Sequence, residues 1–321
     1  MARTRTLKPH NNLISSCGRG IREENSVSER LGQLDIVFAV DNTGSMGPYI
    51  NNAKQKILEI IRTIQREELC HRLRIGLVSY RDHPPQEKTY VTKKNELTSD
   101  TQRIEKNIMA MNADGGGDGP EAVADALEVA NRMEFLLDSA KIVVLIGDAP
   151  PHGVEPNDNW SDGCPEGIKW EEEVEKAYDQ GIVVHTVGCF PEISTYENAI
   201  GTFVRIAEGT KGRFIPLKEA ELLVKVITGI AVEEIDKLAI QKSILEDLGI
   251  SMEELNEEDL TEDKIADLVA AVRSKGMTRR AMKAEAPSGL ASSEDVEVMS
   301  EEVDEEDVRE AVRQLRKKAK K

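Results

Sequence analysis

The residues best suited to chemistry stand in three short stretches of the 321-residue chain. Asp41-Asn42-Thr43-Gly44-Ser45 places a carboxylate and two hydroxyls at alternate positions. Alternate residues of an extended turn face one side, so these oxygens can converge while Asn42 and Gly44 point away or let the chain bend. Gly115-Gly116-Gly117-Asp118-Gly119-Pro120-Glu121 is a flexible turn offering Asp118 and Glu121, and Asp148 closes the apolar run KIVVLIG. The set is all oxygen, the donor chemistry of a hard cation such as Mg²⁺, which takes six oxygens at about 2.0–2.1 Å and keeps some waters. Without a cation, acids crowded at one edge would repel each other. Each stretch alone is unspecific: the first is also an N-cap cluster, the second a glycine turn with capping acids, the third an ordinary strand-end acid. Their combination in one structural context is what carries the metal reading.

That context is set by the apolar pattern. LDIVFAVD, from Leu34, reads as a strand buried on both faces. Ile50, Ala53, Ile57, Ile60, Ile61 and Ile64 then recur on one face of a helix. RIGLVSY (74–80) is a second strand, and KTYV near Tyr90, beyond the Pro84-Pro85 loop, a short third one in an edge hairpin. Helices are expected over 101–111 and 120–137, a strand over 141–148, a Pro- and Gly-rich loop to about Pro165, and a helix over 168–179. A strand over 182–188, a helix over 196–208 and a short strand near Phe214 complete the alternation. Strands alternating with helices imply an α/β fold, a mainly parallel sheet covered on both faces. Ligands of such sheets bind beyond the carboxyl ends of strands, where Asp41 and Asp148 both stand.

D-x-T-x-S after a buried strand, then GGGDGPE, then IGDAPPHG, resembles the metal-ion-dependent adhesion site of von Willebrand factor type A domains, over roughly residues 34–230. The resemblance implies a Rossmann-like sheet and a metal held by Asp41, Thr43 and Ser45, directly or through water, with Asp148 from the third loop. The commonest second loop has a threonine where this chain has Gly117. The integrin beta-chain version, D-x-P-E, is closer, and it implies Glu121 as ligand with Asp118 nearby. Mg²⁺ is the implied ion, with Mn²⁺ or Ca²⁺ as alternatives. The acids that integrin beta chains carry after the last serine are replaced by Met46-Gly47-Pro48-Tyr49, so a second adjacent cation is not implied. The implied function is non-enzymatic: a protein partner's acidic side chain completes the metal shell, and the loops Arg81–Pro85 and Pro150–Trp160 form a selecting rim. Trp160 suits either packing or recognition. His152 is expected to be structural or solvent-facing, because a lone histidine fits a hard oxygen set poorly, and His185 to be a core residue.

Two other readings compete. A serine hydrolase would use Ser45 with His152 and Asp148, but Thr43-Gly44-Ser45-Met46-Gly47 has Thr where a G-x-S-x-G elbow needs Gly. A scaffold subunit would act through C-terminal helices. Nucleotide binding by the glycine turn is disfavoured, since Asp118 and Glu121 would repel phosphate. The net charge of -17 argues against broad nucleic-acid binding. Cys17, Cys70, Cys164 and Cys189 show no C-x-x-C pair and suggest neither a zinc knuckle nor a disulfide scaffold. With no apolar run of signal-peptide length and no stretch near the ~20 residues that cross a bilayer, a cytoplasmic setting is expected.

The expected organisation is a loose arm over 1–32, the sheet domain over 33–230, a helical extension over 231–282, a linker over 283–295 and a charged helix or tail over 296–321. In the tail, acids precede bases, the order a helix macrodipole favours, with Val308, Ala311, Val312 and Leu315 on one face.

Overall fold

The structure, a computed structural model, describes residues 32–66, 70–117, 119–217, 220–251, 254–284 and 296–319. Nearly all of the expected arm, Asp118 and linker residues 285–295 therefore lie outside the described residues.

Six strands form one sheet: β1 (Gln33–Asp41), β2 (Arg72–Tyr80), β3 (Thr92–Thr98), β4 (Ser139–Gly147), β5 (Ile182–Cys189) and β6 (Phe214–Leu217). Their order is β3-β2-β1-β4-β5-β6, parallel throughout except for the antiparallel β2–β3 edge. The chain runs outward from β1 through β2 to β3, then returns to place β4 on the other side of β1. The order thus reverses between β1 and β4, the point at which open α/β sheets present a ligand crevice.

Both faces are covered. Leu34, Ile36, Phe38 and Val40 pack on one side with the isoleucine face of α1 (Gly47–Arg66), with Ile104 and Ile108 of α2 (Thr101–Met109), and with the first half of the 29-residue α6 (Ala220–Leu248). Val37, Ala39, Val143 and Leu145 pack on the other with α3 (Val123–Asn131), α4 (Trp170–Asp179) and α5 (Ala199–Gly209).

A separate core follows. Ile240, Ile244 and Leu245 at the far end of α6 meet Ile265, Leu268 and Val272 of α7 (Glu262–Ser274) and Val308, Val312 and Leu315 of α8 (Glu305–Ala319). Where the sequence pattern suggests only helix, linker and tail, the chain also forms an antiparallel hairpin of β7 (Thr278–Ala284) and β8 (Val296–Glu302). Arg280 fastens the hairpin to α6 through Asp236, with a closest approach of 2.6 Å. The apolar face of α8 is buried against its own chain rather than solvated.

Two further elements differ from expectation. The third strand is Thr92–Thr98, not the segment around Tyr90. Helix α3 stops at Asn131 instead of continuing to 137, because the following segment is captured elsewhere. Buried Asp35 accepts from the Leu136 backbone N–H at 2.9 Å and the Ser139 hydroxyl at 2.8 Å, while Arg74 pairs with Asp35 and donates to the Glu134 carbonyl. These bonds satisfy groups that a longer helix would have paired internally. In Ser251-Met252-Glu253-Glu254, which has capping-box spacing, the Ser251 N–H donates to Glu254 Oε2 at 3.0 Å, while Met252 and Glu253 lie outside the described residues; a full capping box forms at Asn256 and Asp259, ahead of the 3₁₀ turn Glu257–Leu260.

Candidate functional site

Three loops meet at the β1–β4 crevice, tied by backbone bonds. The Gly44 N–H donates to the Gly115 carbonyl at 3.0 Å and the Asp114 N–H to the Asn42 carbonyl at 3.0 Å, joining the first loop to the second. The Glu121 N–H donates to the Pro150 carbonyl at 2.9 Å, joining the second to the third. Glycine lets the second loop pass this closely: a Cβ on Gly116, whose φ is +76°, would lie 3.2 Å from both Glu121 Oε1 and Thr43 Cβ. A Cβ on Gly117 would lie 2.9 Å from Gln86 Cβ, so this loop has no room for a threonine there.

Asp41, Thr43, Ser45, Glu121 and Asp148 are brought together. Asp41 Oδ1 accepts from the Thr43 N–H at 2.8 Å and the Thr43 hydroxyl at 2.7 Å. The Thr43 and Ser45 hydroxyls are 3.1 Å apart, and Ser45 Oγ donates to Asp148 Oδ1 at 3.1 Å. Asp41, Thr43, Glu121 and Asp148 are buried, whereas Gly44 and Ser45 are exposed and open the crevice to solvent. The second-loop acid Asp118 lies outside the described residues.

One oxygen on each of the three acids, Asp41 Oδ2, Glu121 Oε2 and Asp148 Oδ2, is buried with no hydrogen-bond partner. The electrostatic cost is visible in their protonation. Burial, then the neighbouring Asp148, pushes Asp41 up to about 8. Burial, then Asp41, Asp82 and Asp148, pushes Glu121 up to about 11. Burial, followed among the raising causes by Glu192, also raises Asp148. Desolvated acids that share a site resist ionisation unless a cation joins them. An all-oxygen set of acids, each with one partnerless oxygen, beside two hydroxyls fits a hard divalent ion.

The flanking residues differ in part from the expected rim. Pro84 and Pro85 are exposed, but Arg81, Asp82 and His83 are buried. Arg81 Nη1 donates to the Thr89 hydroxyl at 2.8 Å and its guanidinium lies 4.7 Å from the Tyr90 ring centre, so it braces the loop instead of meeting a partner. His152 is structural: its ring nitrogens lie 2.9 Å from Asp82 Oδ1 and 3.1 Å from Asp158 Oδ1 rather than at Ser45. Trp160 packs edge-on against His152, with centres 4.6 Å apart. His185 is a core residue, accepting from the Arg213 N–H at 3.1 Å, and burial drives it down to about 3.

The sequence pattern missed one juxtaposition. His83, Asp125 and Cys164 converge from three elements, with candidate ligand atoms all within 4.8 Å of one another. Separations of 42 and 39 residues form no motif.

A doubly wound sheet whose switch point gathers acids and hydroxyls defines the class to which the chain is compared. Residues 35–159 match the family model described as von Willebrand factor A domain, a class that generally engages proteins. An alpha-protein kinase, vwkA, of Dictyostelium discoideum is 30% identical over 142 residues, covering 43% of this chain and 22% of the kinase. A putative ariadne-like RING finger protein, R811, of Acanthamoeba polyphaga mimivirus is 29% identical over 119 residues, 37% of this chain and 11% of that protein. The chain thus spans only about a fifth and about a tenth of these relatives. Among solved structures, the open form of the pilus adhesin SpaC from Lactobacillus rhamnosus GG has a TM-score of 0.49 at 15% identity, covering 65% of this chain and 30% of that one. A von Willebrand factor type A structure from Catenulispora acidiphila has a TM-score of 0.45 at 13% identity, covering 64% and 43%. No helix among the described residues is long and apolar enough to cross a membrane.

Proposed function

We propose that this chain is a cation-dependent protein-binding module. Asp41, Thr43, Ser45, Glu121 and Asp148 hold one divalent ion, Mg²⁺ in preference to Mn²⁺ or Ca²⁺, and a partner protein docks there through an acidic side chain. The observation that carries this reading is the trio of buried, partnerless carboxylate oxygens beside an exposed Ser45. When bound, the ion supplies a Lewis-acid site for the partner's carboxylate. The protein's own part is to hold the acids in place: Thr43 fixes one oxygen of Asp41, Ser45 fixes one of Asp148, and the other oxygens stay free. No catalytic role is assigned.

The scaffold reading draws less support, because the apolar face of α8 is already covered by its own chain. Partner capture from lysate by the full chain tests the proposal. Retention in Mg²⁺ that is lost on chelation, and lost equally in Asp41→Ala, is expected. Capture that survives both would overturn it.

A further inference from the structure

We propose that His83, Asp125 and Cys164 form a second metal site, distinct from the Asp41 crevice and selective for a zinc-class ion. His83 Nε2 lies 3.0 Å from Asp125 Oδ2, and Cys164 Sγ lies 3.2 Å from that oxygen and 3.6 Å from the same ring nitrogen. Tetrahedral zinc, with bonds of about 2.3 Å to sulfur and about 2.0–2.2 Å to nitrogen and oxygen, sets its ligand atoms roughly 3.3–3.6 Å apart. The triangle is therefore close to the required size, and a small outward shift of the carboxylate completes it.

The three donors are held by separate elements. His83 follows β2 and is buried; Asp125 sits in the first turn of α3 and is buried; Cys164 is half-buried on the loop after β4, which leaves an ion a way in. The loop is pinned near the cluster, since Asp158 accepts from the Trp160 N–H at 2.8 Å and meets His152, while His152 also meets Asp82 beside His83. The His152 and Trp160 rings pack around His83, with centres 5.7 and 5.9 Å away. Donors locked this way need little ordering to bind.

A cysteine nucleophile is the obvious alternative, and the geometry disfavours it. In a Cys-His-Asp relay the acid orients the ring nitrogen opposite the one that faces the thiol. Here Asp125 and Cys164 both face Nε2. Donors that meet at one point suit an ion at that point.

The donor chemistry chooses the ion. Thiolate and imidazole select zinc-class metals over Mg²⁺, which the all-oxygen crevice suits better. A thiolate, a carboxylate and a neutral imidazole carry two negative charges, which a divalent ion neutralises. Binding releases the thiol proton and the proton that the His83 ring shares with Asp125, because the ligands are a thiolate and a neutral imidazole. Three protein donors leave a fourth position for water or another ligand.

The test is Co²⁺ titration of the metal-stripped full chain, read as the thiolate-to-cobalt charge-transfer band, followed by competition with Zn²⁺. One equivalent is expected to develop the band and Zn²⁺ to abolish it, with excess Mg²⁺ having no effect. Cys164→Ser and His83→Gln should each lose the band and weaken Zn²⁺ by more than about 100-fold, since even outer-shell losses cost about 10–100-fold. Cys70→Ser and Asp41→Asn should keep it. Circular dichroism of the metal-free variants checks their fold, and Asp125→Asn replaces either variant that fails to fold. A wild-type chain without the band, or folded Cys164 and His83 variants that retain it, would overturn the proposal.

Discussion

The Ser45 hydroxyl donates to Asp148 Oδ1 at 3.1 Å, closing a gap of 103 residues between the loop after β1 and the end of β4. The bond follows from register: Val40 pairs with Ile146 on neighbouring parallel strands, so Asp41 and Asp148 emerge side by side. Each keeps one buried oxygen free.

Asp41→Asn should therefore abolish Mg²⁺ and Mn²⁺ binding without unfolding the sheet. Calorimetry on the variant should show no binding heat, and the metal-free variant should melt no lower than the wild type, since the change removes a buried acid from a repulsive group. Unchanged affinity in a folded variant would remove Asp41 from the site.

The second loop offers two acids that can be ranked. Glu121 is buried with a partnerless oxygen, so Glu121→Gln should weaken the cation more than Asp118→Asn. The reverse order in the same titration would assign the ligand to Asp118.

The crowded acids should make metal-free stability depend on pH. Asp41 titrates at about 8 when folded against an ordinary value of 3.8, and Glu121 at about 11 against 4.5. The folded state thus binds more protons than the unfolded state between the ordinary and the folded values, and stability falls as pH rises from about 4 to about 8 through Asp41 and on toward about 11 through Glu121. In chelator, the melting temperature should drop between about pH 7 and about pH 8, and added Mg²⁺ should restore more at the higher pH. A flat or rising profile in chelator would contradict the repulsion.

His185 should act in a lower window with the opposite sign. Its folded value of about 3 lies below the ordinary 6.5, so its stabilisation is complete above 6.5 and is lost as pH falls toward 3. The loss is about 1.4 kcal/mol per pH unit. Denaturant titrations should show a shallower acid dependence in His185→Gln than in the wild type; parallel curves would argue against a buried neutral ring.

Leu315→Ala tests the C-terminal core. Leu315 is fully buried on α8, and such truncations cost about 2–5 kcal/mol. Chemical denaturation should show a loss in that range, whereas a loss well under about 1 kcal/mol would mean that α8 is a solvated tail.

Much of the sheet is legible in the sequence because its central strands are continuous apolar runs and α1 carries one clean isoleucine face. The crevice is legible for the same reason: Asp41 and Asp148 interrupt those runs where the strands end. The edge strand β3 is harder, since TKKNELT is polar on a solvated edge and carries no apolar run. The β7–β8 hairpin is obscured by arginines whose partners Asp236 and Asp307 lie on α6 and α8. The end of α3 depends on Asp35, about a hundred residues earlier in the chain. His83, Asp125 and Cys164 lack any shared spacing, so only the fold reveals their meeting.

Helix α6 belongs to two cores, with Ile227 and Ile230 against the sheet and Ile240 and Ile244 against α7 and α8. Its 29 residues make a continuous rod about 44 Å long. Sliding or tilting one end carries the other with it, so the sheet half and the C-terminal half are mechanically geared: a load applied to α7 or α8 reaches the floor of the sheet without passing through any loop.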